Sequence, residues 1–187
     1  MNGVRYNMAL VIDPKGHTIY KQAKIQLVGG DTDWAKAGDS LSVFKIDDIV
    51  CSLIICHDSR YPELVRLPVL KGARLVFYLS WESDLAQERK IEPYRAQVVA
   101  RAVENGVYVL QANAPQVVEP WMGSHGQSRI VSPTGQLLQE APIFGEAVLI
   151  EELDMNEARA SNALKSRRAP FLRDYWELGL KTIGEVE

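Results

Sequence analysis

The sequence predicts an α/β fold, and three observations carry that prediction. The continuous apolar run from Ile49 to Cys56 reads as a buried strand, the stretch opened by Pro62 and closed by Gly72 as a helix, and the apolar run from Arg74 to Trp81 as a second strand. Strand, helix and strand in that order predict a parallel pair joined by a right-handed crossover, the hand that lets a twisted strand feed a helix back onto its own sheet.

Ahead of that unit, Tyr6 to Leu27 holds two strand-like runs around Asp13-Pro14-Lys15-Gly16, whose proline and glycine supply turn chemistry, so a hairpin is expected. Gly29 to Ser40 is polar and reads as a loop. A short strand, Ser42 to Ile46, and a turn at Asp47-Asp48 lead into the strand at Ile49. Pro62 suits a first helical position and Gly72 the residue just past a helix end. Pro68 lies between them and should remove one backbone hydrogen bond, leaving that helix short or bent. Glu92 to Asn105, with Pro93 in its first turn and Val98, Val99, Ala102 and Val103 as an apolar stripe, predicts a second helix, and Val107 to Ala114 a strand. After a loop through Trp121-Met122-Gly123, a hairpin is expected around Pro133-Thr134-Gly135, then a strand from Gly145 to Leu153 and a helix from Asn156 to Arg168. The tail from Ala169 to Leu178 leaves Phe171, Tyr175 and Trp176 exposed unless something covers them.

Composition narrows the function. With 187 residues, 47% hydrophobic and 24% charged, the chain is long and apolar enough to fold as one domain. A net charge of −3, with basic residues scattered among acids, provides no footprint for nucleic acid or an anionic membrane. A small molecule or another protein is the expected partner. No apolar run approaches the roughly 18 residues of a membrane span, and the first residues lack the apolar core of a signal peptide, so a cytoplasmic location is expected. Cys51 and Cys56 lie five apart on one strand, which predicts opposite faces and a separation of about 16 Å at about 3.3 Å per residue, too far for a disulfide. His17, His57 and His125 show no metal-ligand spacing, so neither metal nor cofactor is expected.

The chemistry concentrates at Cys56. It sits at the carboxyl end of its strand, where open α/β sheets hold their ligands, with a helix starting soon after. Turn amides and a neighbouring cation there would lower a thiol's pKa and favour the nucleophilic thiolate. A cysteine without those neighbours, such as Cys51 in mid-strand, is a small hydrophobe. His57 adjoins the thiol in sequence, though a continuing strand would point it elsewhere. Arg60 follows closely, and Trp81 comes just after the next strand end, where it would line a pocket mouth. His125, in Gly123-Ser124-His125-Gly126, reads either as a base for Cys56 or as part of a loop packed beside the site. Glu63 suits the first turn of its helix, where it matches the dipole.

Five stretches taken in order, YKQAKIQL from Tyr20, LIICHDSRYPEL from Leu53, KGARLVFYLSW from Lys71, RAVENGVYVLQAN from Arg101 and GSHGQSRIVSPTGQLL from Gly123, resemble the carbon-nitrogen hydrolase, or nitrilase, superfamily. The resemblance runs from about Tyr6 to Leu153. It implies an α-β-β-α sandwich, with the hydrolase domain over 1–155 and a C-terminal helix and tail over 156–187 that contact another subunit of a homo-oligomer. It also implies a Glu, Lys and Cys catalytic set, in which Lys24 is the lysine and Cys56 the nucleophile. Asp31 or Asp33 would stand in for a supporting glutamate, and Arg101 with Glu104 would form a buried scaffold behind the cysteine. His57, Arg60, Trp81 and His125 would face substrate, with Glu63 supporting.

Those residue types suit the hydrolysis of a linear amide or carbamoyl nitrogen. An amide carbon is a poor electrophile, so a covalent thioester divides the reaction into two easier steps. An ammonium meets the oxyanion that forms, and a carboxylate moves protons between thiol, leaving amine and water. The sequence departs from the family pattern at that carboxylate. The family's glutamate lies upstream of the lysine, whereas among the 23 residues before Lys24 the only acid is Asp13, in the hairpin turn. The expectation is therefore a domain incomplete at its N-terminus and inactive alone unless a carboxylate reaches Cys56 from elsewhere. The alternative is a non-catalytic nitrilase-like subunit that binds a partner or its own copy.

Overall fold

The computed structural model describes residues 3–82, 91–119 and 122–186. The first hairpin forms where the sequence placed it: β1 (Met8–Ile12) pairs antiparallel with β2 (Thr18–Ala23). The Asp13 carboxylate accepts the amide N–H groups of Lys15 and His17 at 2.8 Å each, and Gly16 takes φ +86°, so side-chain capping and a glycine together close the turn. The polar stretch that follows is not wholly loop. It contains one helical turn, α1 (Asp31–Trp34), with Asp31 and Asp33 at the dipole's positive end.

The α/β core comes next. β3 (Leu41–Ile46) turns antiparallel into β4 (Ile49–Ile55), which leads through a 3-10 turn (Cys56–Arg60) into α2 (Glu63–Leu70) and then β5 (Leu75–Ser80). β4 and β5 pair in parallel, as the strand-helix-strand order requires. α2 is short and carries Pro68 in its interior. It ends with Gly72 at φ +125° and the Ala73 N–H reaching back to the Pro68 carbonyl at 3.0 Å. α3 (Ile91–Asn105) returns the chain to β6 (Tyr108–Asn113), also parallel to β5.

Downstream, the expected loop is partly a second hairpin, β7 (Pro115–Glu119) with β8 (Met122–His125); Trp121 lies outside the described residues. β9 (Arg129–Val131) and β10 (Leu137–Glu140) make the hairpin expected around Pro133. No strand forms over Gly145–Leu153: Val148 is 87% and Ile150 80% exposed, and the Gln139 side chain of the neighbouring edge strand, rather than a backbone ladder, donates to the Ile150 carbonyl. The helix expected from Asn156 shrinks to α4 (Ser161–Ser166), because Ala160 before it is left-handed at φ +51°. The tail then folds as α5 (Arg173–Leu180) and β11 (Ile183–Glu185), which joins β3 in parallel.

The result is a mixed sheet of order β10-β9-β6-β5-β4-β3-β11 with different cover on its two faces. Strand alternation sorts the core accordingly. Ile54, Val76, Tyr78 and Val109 point to Val65 and Val69 of α2 and Val98 and Ala102 of α3. Cys51, Leu53, Ile55 and Phe44 point the other way, against Ala9 and Tyr20 of the first hairpin, where the Tyr20 and Phe44 rings stack at 4.9 Å. Each fully buried aliphatic side chain contributes about 1.5–3 kcal/mol. Trp176 and Leu180 of the tail are covered by the helix-side core, while Phe171 remains 94% exposed.

Candidate active site

The site begins where β4 stops. Cys56 takes φ +48°, a left-handed conformation costly for a residue with a Cβ, of order 1–3 kcal/mol. That turn ends the strand's alternation. Cys56 therefore packs on the same side as Cys51, against the cluster under the first hairpin, which corrects the expectation of opposite faces.

The buried Asp58 holds the turn. Its carboxylate accepts the Ile55 N–H at 3.2 Å from the cysteine strand, and those of Ile25 and Gln26 at 3.2 and 2.7 Å from the segment after Lys24. One side chain thus ties the strand of Cys56 to the segment of Lys24. Lys24 itself is only 3% exposed, pinned by its N–H to the Asn7 carbonyl and by its own carbonyl to the Gly38 N–H, both at 2.8 Å. Its ammonium donates to Asp31, which also accepts from Asn7 Nδ2 at 3.2 Å and the Val28 N–H at 3.3 Å. A buried ammonium needs such a partner.

Across the turn, Glu82 follows β5 and is also 3% exposed. The Tyr78 hydroxyl donates to its Oε1, and its N–H donates to Asn113 Oδ1 at 2.9 Å. Ser59 donates to the Tyr78 oxygen at 3.0 Å, and Gln97 donates to Ser59. Glu82 Oε2 accepts no hydrogen bond from the described residues; His125 Nε2 stands 3.8 Å away. Lys24, Asp31, Cys56 and Glu82 all line one half-open cavity of about 790 Å³.

Of the other residues singled out in the sequence, His57, Arg60 and Trp81 line this cavity, the Arg60 guanidinium lying 5.8 Å over the Tyr94 ring. His125 is not on its wall; it is buried behind Glu82, 5.9 Å from the Tyr94 ring. Asp33 is exposed on α1, and Glu63 is exposed at the start of α2, where its charge acts on Tyr175. Arg101 donates to the Ser59 carbonyl at 2.8 Å and to Glu104 at 2.9 Å, linking α3 to the turn after the cysteine. Sequence reasoning passed over Asp58, Tyr78 and Glu82. The signal for Glu82 was present: β4 and β5 are parallel, with Ile55 opposite Leu79, so residues just beyond Ser80 must stand beside Cys56.

The electrostatics revise one expectation. Burial pushes the Cys56 thiol above its ordinary value and Glu82 pushes the same way, outweighing the Lys24 charge and the Trp81 and His57 amides. The net direction is opposite to the lowering that turn amides and a cation alone would give. Glu82 is also pushed up, chiefly by burial and against the Tyr78 hydrogen bond. Burial would raise Asp31 too, but its hydrogen bonds from Lys24 and Asn7 and the Lys24 charge hold it below the usual carboxylate range. His57 and His125 are both lowered by burial, helped by Arg60 and Arg129 respectively.

The carbon-nitrogen hydrolase pattern matches residues 1–163, and the chain belongs to that family. Among its relatives, a 2-oxoglutaramate amidase of Bacillus subtilis is 29% identical over 155 residues, 82% of this chain and 58% of that protein. The crystal structure of Saccharomyces cerevisiae Nit3, a member of branch 10 of the nitrilase superfamily, superposes with a TM-score of 0.73 at 26% identity, covering 88% of this chain and 57% of that one. A mutant of the amidase from Nesterenkonia sp. AN1, with the acetamide moiety of fluoroacetamide added covalently at its active-site cysteine, superposes with a TM-score of 0.71 at 27% identity over 90% of this chain and 61% of that one. This chain spans somewhat under two thirds of each. The fold is thus the nitrilase-type α/β sandwich that the five stretches implied.

Proposed function

We propose that this chain carries an amidase-type active site that cleaves a linear amide or carbamoyl nitrogen through a thioester on Cys56. The observation that carries the reading is the placement of Cys56. It stands on a left-handed turn at a strand end and opens onto the same cavity as a buried lysine whose charge acts on it. Support also comes from relatives named as amidases and from the covalent adduct at the Nesterenkonia cysteine.

In the first half-reaction Cys56 Sγ attacks the carbonyl carbon. The π pair moves onto oxygen, and Lys24 with the turn amides meets that negative charge. The C–N bond then breaks, releasing ammonia or an amine. Water opens the thioester in the second half-reaction and restores the thiol. Asp31 fixes Lys24, Arg101 and Glu104 brace the Cys56 turn, and Arg60, His57 and Trp81 face substrate. The chemistry proposed runs without metal or cofactor.

The test is ammonia release from a set of linear amides and N-carbamoyl amines, with mass spectrometry of the intact chain. The wild type is expected to release ammonia and to carry an acyl group at Cys56; Cys56→Ala is expected to do neither. No ammonia from any of them and no acyl group at Cys56 would sink the proposal.

Pairing of subunits through the C-terminal region 156–187 is a second reading, favoured by Phe171, Tyr175 and Leu178, which stand exposed on one short stretch. Sedimentation at micromolar concentration tests it: a homo-oligomer dissociated by Phe171→Glu is expected, and a monomer overturns it. Two unpaired cysteines and the absence of any helix among the described residues long and apolar enough to cross a membrane are compatible with a cytoplasmic location.

A further inference from the structure

A thiol nucleophile needs a proton acceptor, and three carboxylates stand around the Cys56 turn and its cavity. Asp31 is engaged by the Lys24 ammonium, and Asp58 by three backbone amides. Glu82 differs from both. It lines the cavity with Cys56, its Oε1 is fixed by Tyr78, and its Oε2 is left without a hydrogen bond among the described residues. The parallel register of β4 and β5 sets it beside the cysteine turn. We infer that Glu82 is the catalytic carboxylate of this chain, taking the Cys56 proton during attack and passing it on to the leaving nitrogen.

The proton balance follows. As the S–C bond forms, the thiol proton moves to the Glu82 carboxylate. As the C–N bond breaks, Glu82 gives that proton to nitrogen, so ammonia or amine leaves neutral and the carboxylate is restored. Water then attacks the thioester while Glu82 takes one of its protons; the C–S bond breaks, and Cys56 recovers the proton from Glu82. One water is consumed and one acid and one amine are formed.

The surroundings suit a carboxyl that must hold a proton for part of each cycle. Burial favours its neutral form, while the Tyr78 hydroxyl and the Arg129 and Arg60 charges favour its ionised form. The groups facing it are Tyr78 from β5, Gln111 and Asn113 from β6, His125 from β8, Arg129 from β9, and Arg60 and Cys56 from the turn after β4. His125 is lowered by burial and by Arg129, so above neutral pH it brings no positive charge to Glu82.

This inference rests on the hydrolase reading, and the experiment separates the two. Two probes are used on the full chain: propionamide, which needs its leaving nitrogen protonated, and p-nitrophenyl acetate, whose leaving group departs unaided. In Glu82→Gln, ammonia release from propionamide is expected to fall about 10² to 10⁴-fold, the usual scale for general acid-base catalysis. Acetyl-Cys56 formed from the ester is expected to outlive the wild-type species by a similar factor. Tyr78→Phe keeps the carboxylate but removes its donor, so it is expected to move the acid limb of the pH profile upward. A Glu82→Gln chain that deacetylates and turns over within threefold of wild type overturns the assignment of Glu82 and leaves the thioester reading standing. A wild type that neither releases ammonia nor acquires an acetyl group at Cys56 overturns both, through the wild-type measurement alone. Should Glu82→Gln not fold, an unmoved acid limb in Tyr78→Phe overturns the assignment by itself.

Discussion

The cavity has a carboxylate on each of two walls, the partly exposed Asp31 and the buried Glu82, and the chain treats them differently. On the hairpin wall, Asp31 is bound to the Lys24 ammonium and held below the usual range; on the β5 wall, Glu82 is bound to a neutral hydroxyl and held above it. Environment assigns different roles to like groups. A carboxylate neutralised by a neighbouring cation is a poor proton acceptor and a good anchor. One whose burial outweighs the hydroxyl and the more distant charges around it is pushed toward its protonated form.

The largest effect that would break this contrast lies at the shared lysine. Lys24→Met keeps the stem's packing but removes the charge that orders Asp31 and that, in the proposed reaction, meets the oxyanion. Acylation of Cys56 is expected to slow by about 10² to 10³-fold, the scale for losing one oxyanion donor. Its thiol, already above the ordinary value, is expected to rise further, so iodoacetamide alkylation should need a higher pH. An unchanged alkylation profile would show that Lys24 does not act on the thiol.

Asp58 sharpens the comparison from outside the cavity, because it holds both walls at one point. Asp58→Ala leaves the amides of Ile25, Gln26 and Ile55 without their buried acceptor. A loss of about 3 kcal/mol in urea unfolding is expected, given about 1–3 kcal/mol for each buried donor left unmet and partial relaxation. A loss below about 0.5 kcal/mol would mean that the two segments hold together without it.

How much of this was legible in the sequence follows from how locally each feature is encoded. The apolar run ending at Cys56, the helix between Pro62 and Gly72, and the parallel return through β5 depend on neighbouring residues and could be read directly. Gly145–Leu153 has the composition of a strand, but a strand also needs a backbone ladder, and composition does not report that its contact with β10 is made by the Gln139 side chain instead. β11 is the converse, three residues with little strand character made regular by the free edge of β3. At the site, Cys56 and Lys24 stood out through their motifs. Glu82 did not, because its importance comes from β4 and β5 lying in register, a tertiary fact. The thiol's environment is hidden for a related reason: amides and a cation can be inferred from a turn, whereas the burial that pushes the thiol up depends on everything packed around it.

The smallest effect expected is also the most direct check on Asp31. Its folded pKa lies below the unfolded value of about 3.9, so the stability it contributes is fully present above that value and is lost as pH falls through the folded one. Asp31→Asn still accepts a hydrogen bond from Lys24 but offers no charge. At neutral pH the variant is expected to unfold at a lower urea concentration than wild type. The gap is expected to narrow as pH drops below about 4, because acid removes from the wild type the charge that the variant never had. Urea midpoints between pH 7 and pH 2.5 measure this. A gap that stays constant over the range would mean the Asp31 charge does not stabilise the fold, and the asymmetry between the walls would then rest on Glu82 alone.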